Sequence, residues 1–248
     1  AASAQLSVVR LTVRDWIRDA RRIAVLTGAG MSAESGVPTF REAQTGLWAQ
    51  FNPQELATEA AFRAHPQRVW DWYAHRRNMI AAVEPNAGHA ALARFAHANP
   101  GRLTLITQNV DGLHQRAGHA HTWALHGHIA QDQWLDTPRA CCDVDALESG
   151  RPPRCPTCGN LRRPAVVWFG EHLPVQALEA AEAAARACDL MLVVGTSGEV
   201  YPAAGLAFTA HQSGARVVVI NPEPTALDVV ADLCLHAPAA ACLPSLLA

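Results

Sequence analysis

The sequence predicts an α/β protein: a doubly wound, Rossmann-like parallel sheet with a smaller second domain, part helical and part zinc-ribbon-like, formed by two insertions. Three observations lead there. Short β-rich runs recur at 23–26, 103–107, 190–194 and 217–220, each nearly continuous in apolar residues, as in strands covered on both faces. Helical stretches alternate with them: 178–188 reads LEAAEAAARAC, with apolar spacing that suits a helix on a sheet, and 201–213 is similar. The chain is 248 residues long and 50% hydrophobic, which supplies the core of one large domain with room for an insertion.

Two segments break the alternation. Residues 45–86 read as helical and aromatic-rich, and residues 129–164 as irregular, with prolines and four of the seven cysteines. These are expected to build the small domain, while 1–44, 87–128 and 165–248 form the sheet domain. A cleft between the two would then lie at the carboxyl ends of the strands. A formal charge of -2 gives no field for attracting nucleic acid. The longest apolar runs are strand length, far short of the ~20 residues of a membrane span. The N-terminal stretch AASAQLSVVRLTVRDW has no apolar segment of signal-peptide length. An odd, mostly scattered set of cysteines points to reduced thiols and a cytoplasmic protein.

The first predicted strand runs into TGAGMSAESGVPTFR at 27–41. Gly28 and Gly30 would let backbone approach a pyrophosphate, and Ser32 would place a hydroxyl near the start of the next helix, where free N–H groups favour an anion. A strand-to-helix turn without a ligand is the alternative reading of Gly-Ala-Gly alone. It does not explain the Pro-stiffened continuation to Phe40 and Arg41, which suits a lid over a bound cofactor. After the strand at 103–107, Gln108, Asn109 and Asp111 set three polar side chains where such sheets bind ligands. His126, in Leu-His-Gly, has a side chain suited to a base near neutrality, but nothing in the periodicity separates it from the other eleven histidines.

Taken in order, GAGMSAESGVPTFR, TQNVDGLHQRAG, LHG, VVWFGE, VVGTSGEVYP and VVVINPEPT resemble the sirtuins, a family of NAD-dependent protein deacylases. The resemblance covers nearly the whole chain. It implies that Ala29, Phe40 and Arg41 contact NAD, and that Gln108, Asn109 and Asp111 line the nicotinamide and ribose pocket. Gly195, Thr196, Ser197, Asn221 and Glu223 would hold the adenosine half and its phosphates. His126 would be the general base, with Asn109 beside it in the catalytic set. Val167, Phe169, Gly170 and Glu171, with a strand near 198–200 that includes Val200, would pair with an acyl-lysine peptide as an added strand. In the implied reaction the acyl carbonyl oxygen attacks C1′ of the nicotinamide ribose and expels nicotinamide. His126 then helps deprotonate a ribose hydroxyl, and water completes the release of lysine and O-acyl-ADP-ribose.

Tyr73 and Arg76 lie three apart in VWDWYAHRR, hence on one helical face. Read without the family, a packed tyrosine and a solvated arginine suffice. Tyr-x-x-Arg nevertheless resembles the signature of the class III sirtuins, which remove succinyl, malonyl or glutaryl groups, and Ala57 matches the small residue that makes room for a longer acyl chain. The resemblance thus implies a desuccinylase or demalonylase with weaker deacetylase activity.

The cysteines depart from the family pattern. Cys155-Pro-Thr-Cys158 stands for the second Cys-x-x-Cys pair, but the first is missing at its usual distance from His126, and adjacent Cys141 and Cys142 follow instead. A four-thiolate Zn2+ site and a metal-free cluster are both open on this pattern. Two other functions use the same residues: mono-ADP-ribosyl transfer, and non-catalytic sensing of NAD or ADP-ribose. A dehydrogenase fits poorly, because the glycine spacing is wrong and no acidic residue stands about 20 positions beyond the turn at a strand end.

Overall fold

The computed structural model describes residues 2–143 and 149–248, and the part of the expected cysteine-bearing insertion at 144–148 lies outside them. The chain divides into two units, residues 1–37, 84–126 and 173–248, and residues 38–83 and 127–172. The sequence pattern puts the insertions at 45–86 and 129–164. The small unit instead starts earlier, at Pro38, and takes in the 165–172 stretch that the pattern assigns to the sheet domain.

In the larger unit six strands form one parallel sheet: β1 (Ile23–Thr27), β2 (Leu103–Thr107), β3 (Thr122–Ala124), β6 (Leu190–Val194), β7 (Arg216–Ile220) and β8 (Leu233–Leu235). Their order is β3-β2-β1-β6-β7-β8, with every adjacent pair parallel. Successive strands are added outward from β1 on one side and outward from β6 on the other, which makes that junction the topological switch point. All side chains of β1 and β6 are buried, because apolar layers cover both faces. One layer holds Val13, Ile17, Leu92 and Leu243, and the other Ala181, Leu206, Ala207 and Leu227.

The covering helices include Ala2–Asp19, Ala87–Ala98, Val175–Ala187, Gly205–Gln212 and Ala239–Leu246. The helix expected at 178–188 begins three residues earlier. The one expected at 201–213 begins four later, since residues 201–204 form a turn. The 198–200 segment expected as a strand is irregular. Strands β3 and β8 carry no sequence signal: each is three residues long at a sheet edge and only partly buried.

The smaller unit combines the helices Glu59–Ala64 and Pro66–Ala81 with the antiparallel pair β4 (Gly127–Trp134) and β5 (Arg162–Val166). Thr58 caps the first of these helices through Ala61 N–H, and Pro66 opens the second at a position that needs no amide donor. No helix among the described residues is long and apolar enough to cross a membrane.

A buried histidine group lies under the loops of the sheet unit. His89 Nδ1 accepts from Asn86 N–H at 3.0 Å, so its Nε2–H donates to Ser32 Oγ at 3.3 Å. His114 Nε2 meets Thr27 Oγ1 at 2.9 Å. Burial pushes His89 and His119 down to about 4 and His114 well below its ordinary value. A histidine depressed in the folded state contributes stability that is complete above the unfolded value and is lost as pH falls toward the folded one. With 6.5 unfolded and about 4 folded, His89 and His119 should each cost about 2 kcal/mol at about pH 5 relative to neutrality. Urea unfolding at about pH 7.5 and about pH 5 measures this; equal stability at the two values would contradict neutral burial.

Candidate active site

At the carboxyl end of the sheet every strand except β8 hands on to a loop carrying one of the sequence-selected groups. Gly28, Ala29 and Gly30 follow β1, Gln108 and Asn109 follow β2, and His126 stands two residues after β3. Gly195, Thr196 and Ser197 follow β6, while Asn221 and Glu223 follow β7. The ladder continues into these turns. Gly28 N–H donates to Val194 O at 3.0 Å, Gly30 N–H to Gly195 O at 2.8 Å, and Gly195 N–H to Ile220 O at 2.9 Å.

The glycines have a reason beyond ligand approach. A Cβ on Gly28 would stand 2.8 Å from Gly195 O, and one on Gly30 2.7 Å from Gly195 Cα. Gly195 itself adopts φ +66°, in the left-handed region. The two turns at the switch point touch backbone to backbone, and no side chain fits between them. The helix after the turn is a single turn, Gly30–Ala33, and Ser32 is buried with its hydroxyl on His89.

Gln108 joins three of these loops. Its side-chain amide donates to Thr196 Oγ1 at 3.0 Å, its backbone N–H to Thr27 O at 2.9 Å, and its carbonyl accepts from His126 Nδ1 at 3.0 Å. A carbonyl can only accept, so the His126 proton resides on Nδ1 and Nε2 keeps its lone pair. Burial lowers the imidazole below its ordinary value, against the opposing pull of the Gln108 carbonyl. His126 is thus a neutral, oriented base at pH 7. Asn109 Nδ2 donates to Gly28 O at 2.8 Å, and its N–H to Thr107 Oγ1 at 3.0 Å. Asp111 is buried and accepts from Leu113 N–H at 2.9 Å, which starts the helical turn Leu113–Arg116. At the far edge Asn221 Nδ2 donates to Glu223 O at 2.8 Å, and Glu223 is exposed.

In the smaller unit Phe40 and Arg41 begin the short helix Phe40–Ala43, fixed by a capping box between Thr39 and Glu42. The Phe40 ring meets Trp72 edge-on at 5.0 Å. Tyr73 is buried, and its hydroxyl oxygen accepts from Trp168 Nε1–H at 2.9 Å. The Arg76 guanidinium lies 5.3 Å from the Phe40 ring centre, 5.8 Å from Tyr73 and 5.9 Å from Trp72, an aromatic surround for a cation. Ala57 is buried, and its carbonyl accepts from Phe169 N–H at 3.0 Å.

That last bond bears on the expected peptide-pairing stretch. The N–H of Phe169 is already bonded, and the N–H of Glu171 goes to Trp168 O at 3.0 Å. The Glu171 carboxylate takes two bonds from Arg163, at 2.6 and 2.8 Å, and accepts Trp168 N–H at 2.8 Å. Glu171 therefore holds the stretch together, and Val167, the exposed Phe169 ring and Gly170 at φ +84° form its accessible part. Sequence reasoning missed Trp168 and Arg163. Arg163 sits 3.7 Å over the Trp168 ring with its side chain 4% exposed. The sequence signal is an arginine beside an apolar strand, which says nothing of its partner.

Cys141, Cys142, Cys155 and Cys158 come together with all four sulfurs within 4.8 Å of one another. Cys142 Sγ and Cys158 Sγ are 3.5 Å apart, near the roughly 3.8 Å expected for thiolates on a tetrahedral ion with bonds of about 2.3 Å. Backbone N–H groups of Cys158 and Thr157 aim at Cys155 Sγ and bring that thiol down to about 7. Adjacent cysteines thus take the place of the missing Cys-x-x-Cys, and the donor set fits a structural zinc.

A family model described as the Sir2 family matches residues 28–202. The chain belongs to the Sir2 family. It is 60% identical over 237 residues to an NAD-dependent protein deacylase of Ralstonia nicotianae, covering 95% of this chain and 94% of that one. It is 48% identical over 211 residues to an NAD-dependent protein deacylase of Aquifex aeolicus, covering 85% and 87%. Among solved structures, a Sir2 homolog–NAD complex superposes with a TM-score of 0.84 at 38% identity, covering 96% of this chain and 92% of that one. Sir2Tm bound to a propionylated peptide does so with a TM-score of 0.78 at 31% identity, covering 92% and 93%.

Zinc is expected to contribute to the stability of this Sir2-family chain. Cys155→Ser should lose one equivalent of bound zinc, read by elemental analysis of the purified protein, and unfold at lower temperature. Equal metal content in wild type and variant would contradict a zinc held by the four clustered cysteines.

Proposed function

We propose that this NAD-dependent protein deacylase removes succinyl and malonyl groups from protein lysines in preference to acetyl groups. Arg76 supports the reading most directly: a guanidinium set among Phe40, Trp72 and Tyr73, on the helix whose buried Tyr73 hydroxyl is pinned by Trp168. A short acyl chain ending in a carboxylate matches a cation and a phenol held beside aromatic rings. A charge-assisted hydrogen bond contributes about 1.5–3 kcal/mol, which is roughly 10- to 150-fold in favour of the anionic acyl group. Ala57 leaves room for the longer chain.

Bound NAD supplies an electrophilic ribose carbon with nicotinamide as the leaving group. The loops at the carboxyl end of the sheet would hold it, with Gly28–Gly30 and Gly195–Ser197 at the phosphates and Gln108, Asn109 and Asp111 toward nicotinamide. Ala29, Phe40 and Arg41 would contact its reactive half, and Asn221 and Glu223 the adenosine. His126 Nε2 would take a proton from a ribose hydroxyl. The peptide would lie along Val167, Phe169, Gly170 and Val200, read through backbone, so the neighbouring sequence of the substrate matters little.

One peptide carrying acetyl-lysine or succinyl-lysine, incubated with and without NAD and read by mass spectrometry, tests the reading. Succinate should leave faster, and Arg76→Met should cut its loss by roughly 10- to 150-fold while sparing acetate. Acetate leaving as fast from the wild type would reject the acyl preference, and a peptide that gains ADP-ribose would point to transfer instead. Replacing His126 with Ala should lower turnover by about 10²–10⁴. Because His126 is depressed below 6.5, the acid limb of kcat/KM should lie below that pH. A limb centred above neutrality would assign the proton transfer to another group.

A further inference from the structure

A second group of mixed donors stands at the β8 edge of the sheet. Cys234 lies in β8 and His236 two residues on, so strand alternation presents both on one face. The 3-10 turn Ala226–Val230 brings Asp228 to the same place. One ligand atom from each of the three lies within 4.8 Å of the others. His236 Nε2 and Asp228 Oδ2 are 3.6 Å apart, too long for a hydrogen bond. It is the spacing of two ligands on one tetrahedral ion, for which bonds of about 2.0–2.2 Å give about 3.3–3.6 Å. Thr225 Oγ1 donates to Asp228 Oδ1 at 2.9 Å, so the other carboxylate oxygen is the one turned toward His236.

We propose that Asp228, Cys234 and His236 form a second metal site, taking a divalent ion of the zinc class and completing its shell with water. Thiolate, imidazole and carboxylate together suit zinc and exclude calcium or magnesium, which take oxygen ligands. On binding, the Cys234 proton passes to solvent and the sulfur ligates as thiolate. His236 is about half exposed, so its ring closes on the ion without disturbing the core.

The site ties together two turns that flank the proposed adenosine position. Ala226 N–H donates to Ser197 O at 3.2 Å, and Asn221 N–H donates to Leu235 O at 3.1 Å. An ion joining the 226–230 turn to the end of β8 therefore fixes the backbone on which Ser197 and Asn221 stand. Occupancy pre-orders those loops and tightens NAD binding. This coupling rests on the sirtuin reading of Ser197 and Asn221, whereas the metal site does not.

Purified protein is titrated with zinc by calorimetry, and separately with cobalt. Wild type should take up one more equivalent of zinc than either His236→Ala or Cys234→Ser. The cobalt form should show thiolate-to-metal absorption that Cys234→Ser lacks in part. Equal uptake by the three proteins, or undiminished absorption in Cys234→Ser, overturns the site. Zinc should also lower the Kd for NAD by on the order of fivefold in the wild type and leave it unchanged in His236→Ala. One extra zinc bound with no change in NAD affinity overturns the coupling and leaves the site standing.

Discussion

The turn after β1 and the turn after β6 meet backbone to backbone, with no room for a side chain between them. Gly28 and Gly30 lie against Gly195, and a single methyl group on any of the three would collide with main chain. Parallel strands on either side of a switch point must diverge into loops that run in opposite directions, and a crevice opens where they part. Here the two loops stay in contact at the bottom of that crevice. The polar groups at the carboxyl end of the sheet are positioned from this contact outward. Gln108 reaches Thr196 on one side of it, and Asn109 reaches the Gly28 carbonyl on the other.

The chemistry follows from how the polar groups are used. The Gln108 carbonyl takes up the His126 Nδ1 proton, and burial keeps the ring neutral, so the remaining nitrogen is a base. Beneath, the buried Thr27, Thr107 and His114 exchange hydrogen bonds in a layer that also receives the Asn109 amide. In the smaller unit the same logic holds: Trp168 fixes the Tyr73 hydroxyl, and Arg163 fixes Glu171. These supporting residues are not among those expected to meet a ligand, yet they hold the expected ones in place.

The four central strands are legible in the sequence because strands buried on both faces must be apolar throughout, and 23–27 or 190–194 can be little else. The edge strands β3 and β8 are not, since three partly buried residues are too few to carry a periodicity. The glycine turn can be located in the sequence, but its main cause cannot: Gly195 lies far along the chain from Gly30, and only the fold makes them neighbours. Glu171 reads as a peptide contact because the ion pair that occupies it depends on Arg163 curling back across eight residues. The cysteines show the opposite case. Cys141-Cys142 looks unsuited to a four-ligand site by spacing, and the fold nevertheless brings both sulfurs to the Cys155 and Cys158 knuckle. Spacing rules describe local geometry, and here tertiary structure supplies the geometry instead. The family resemblance picks His126 from among twelve histidines, a choice that no local pattern supports.

The central claim is that the dinucleotide is seated at the β1/β6 switch point. A crystal structure of the protein with NAD tests it most directly. The account predicts the pyrophosphate against the turns at 28–30 and 195–197, with the nicotinamide ribose toward Asn109 and His126 Nε2. Dinucleotide bound elsewhere, or a His126 ring turned so that Nε2 faces away from the ribose, would contradict it.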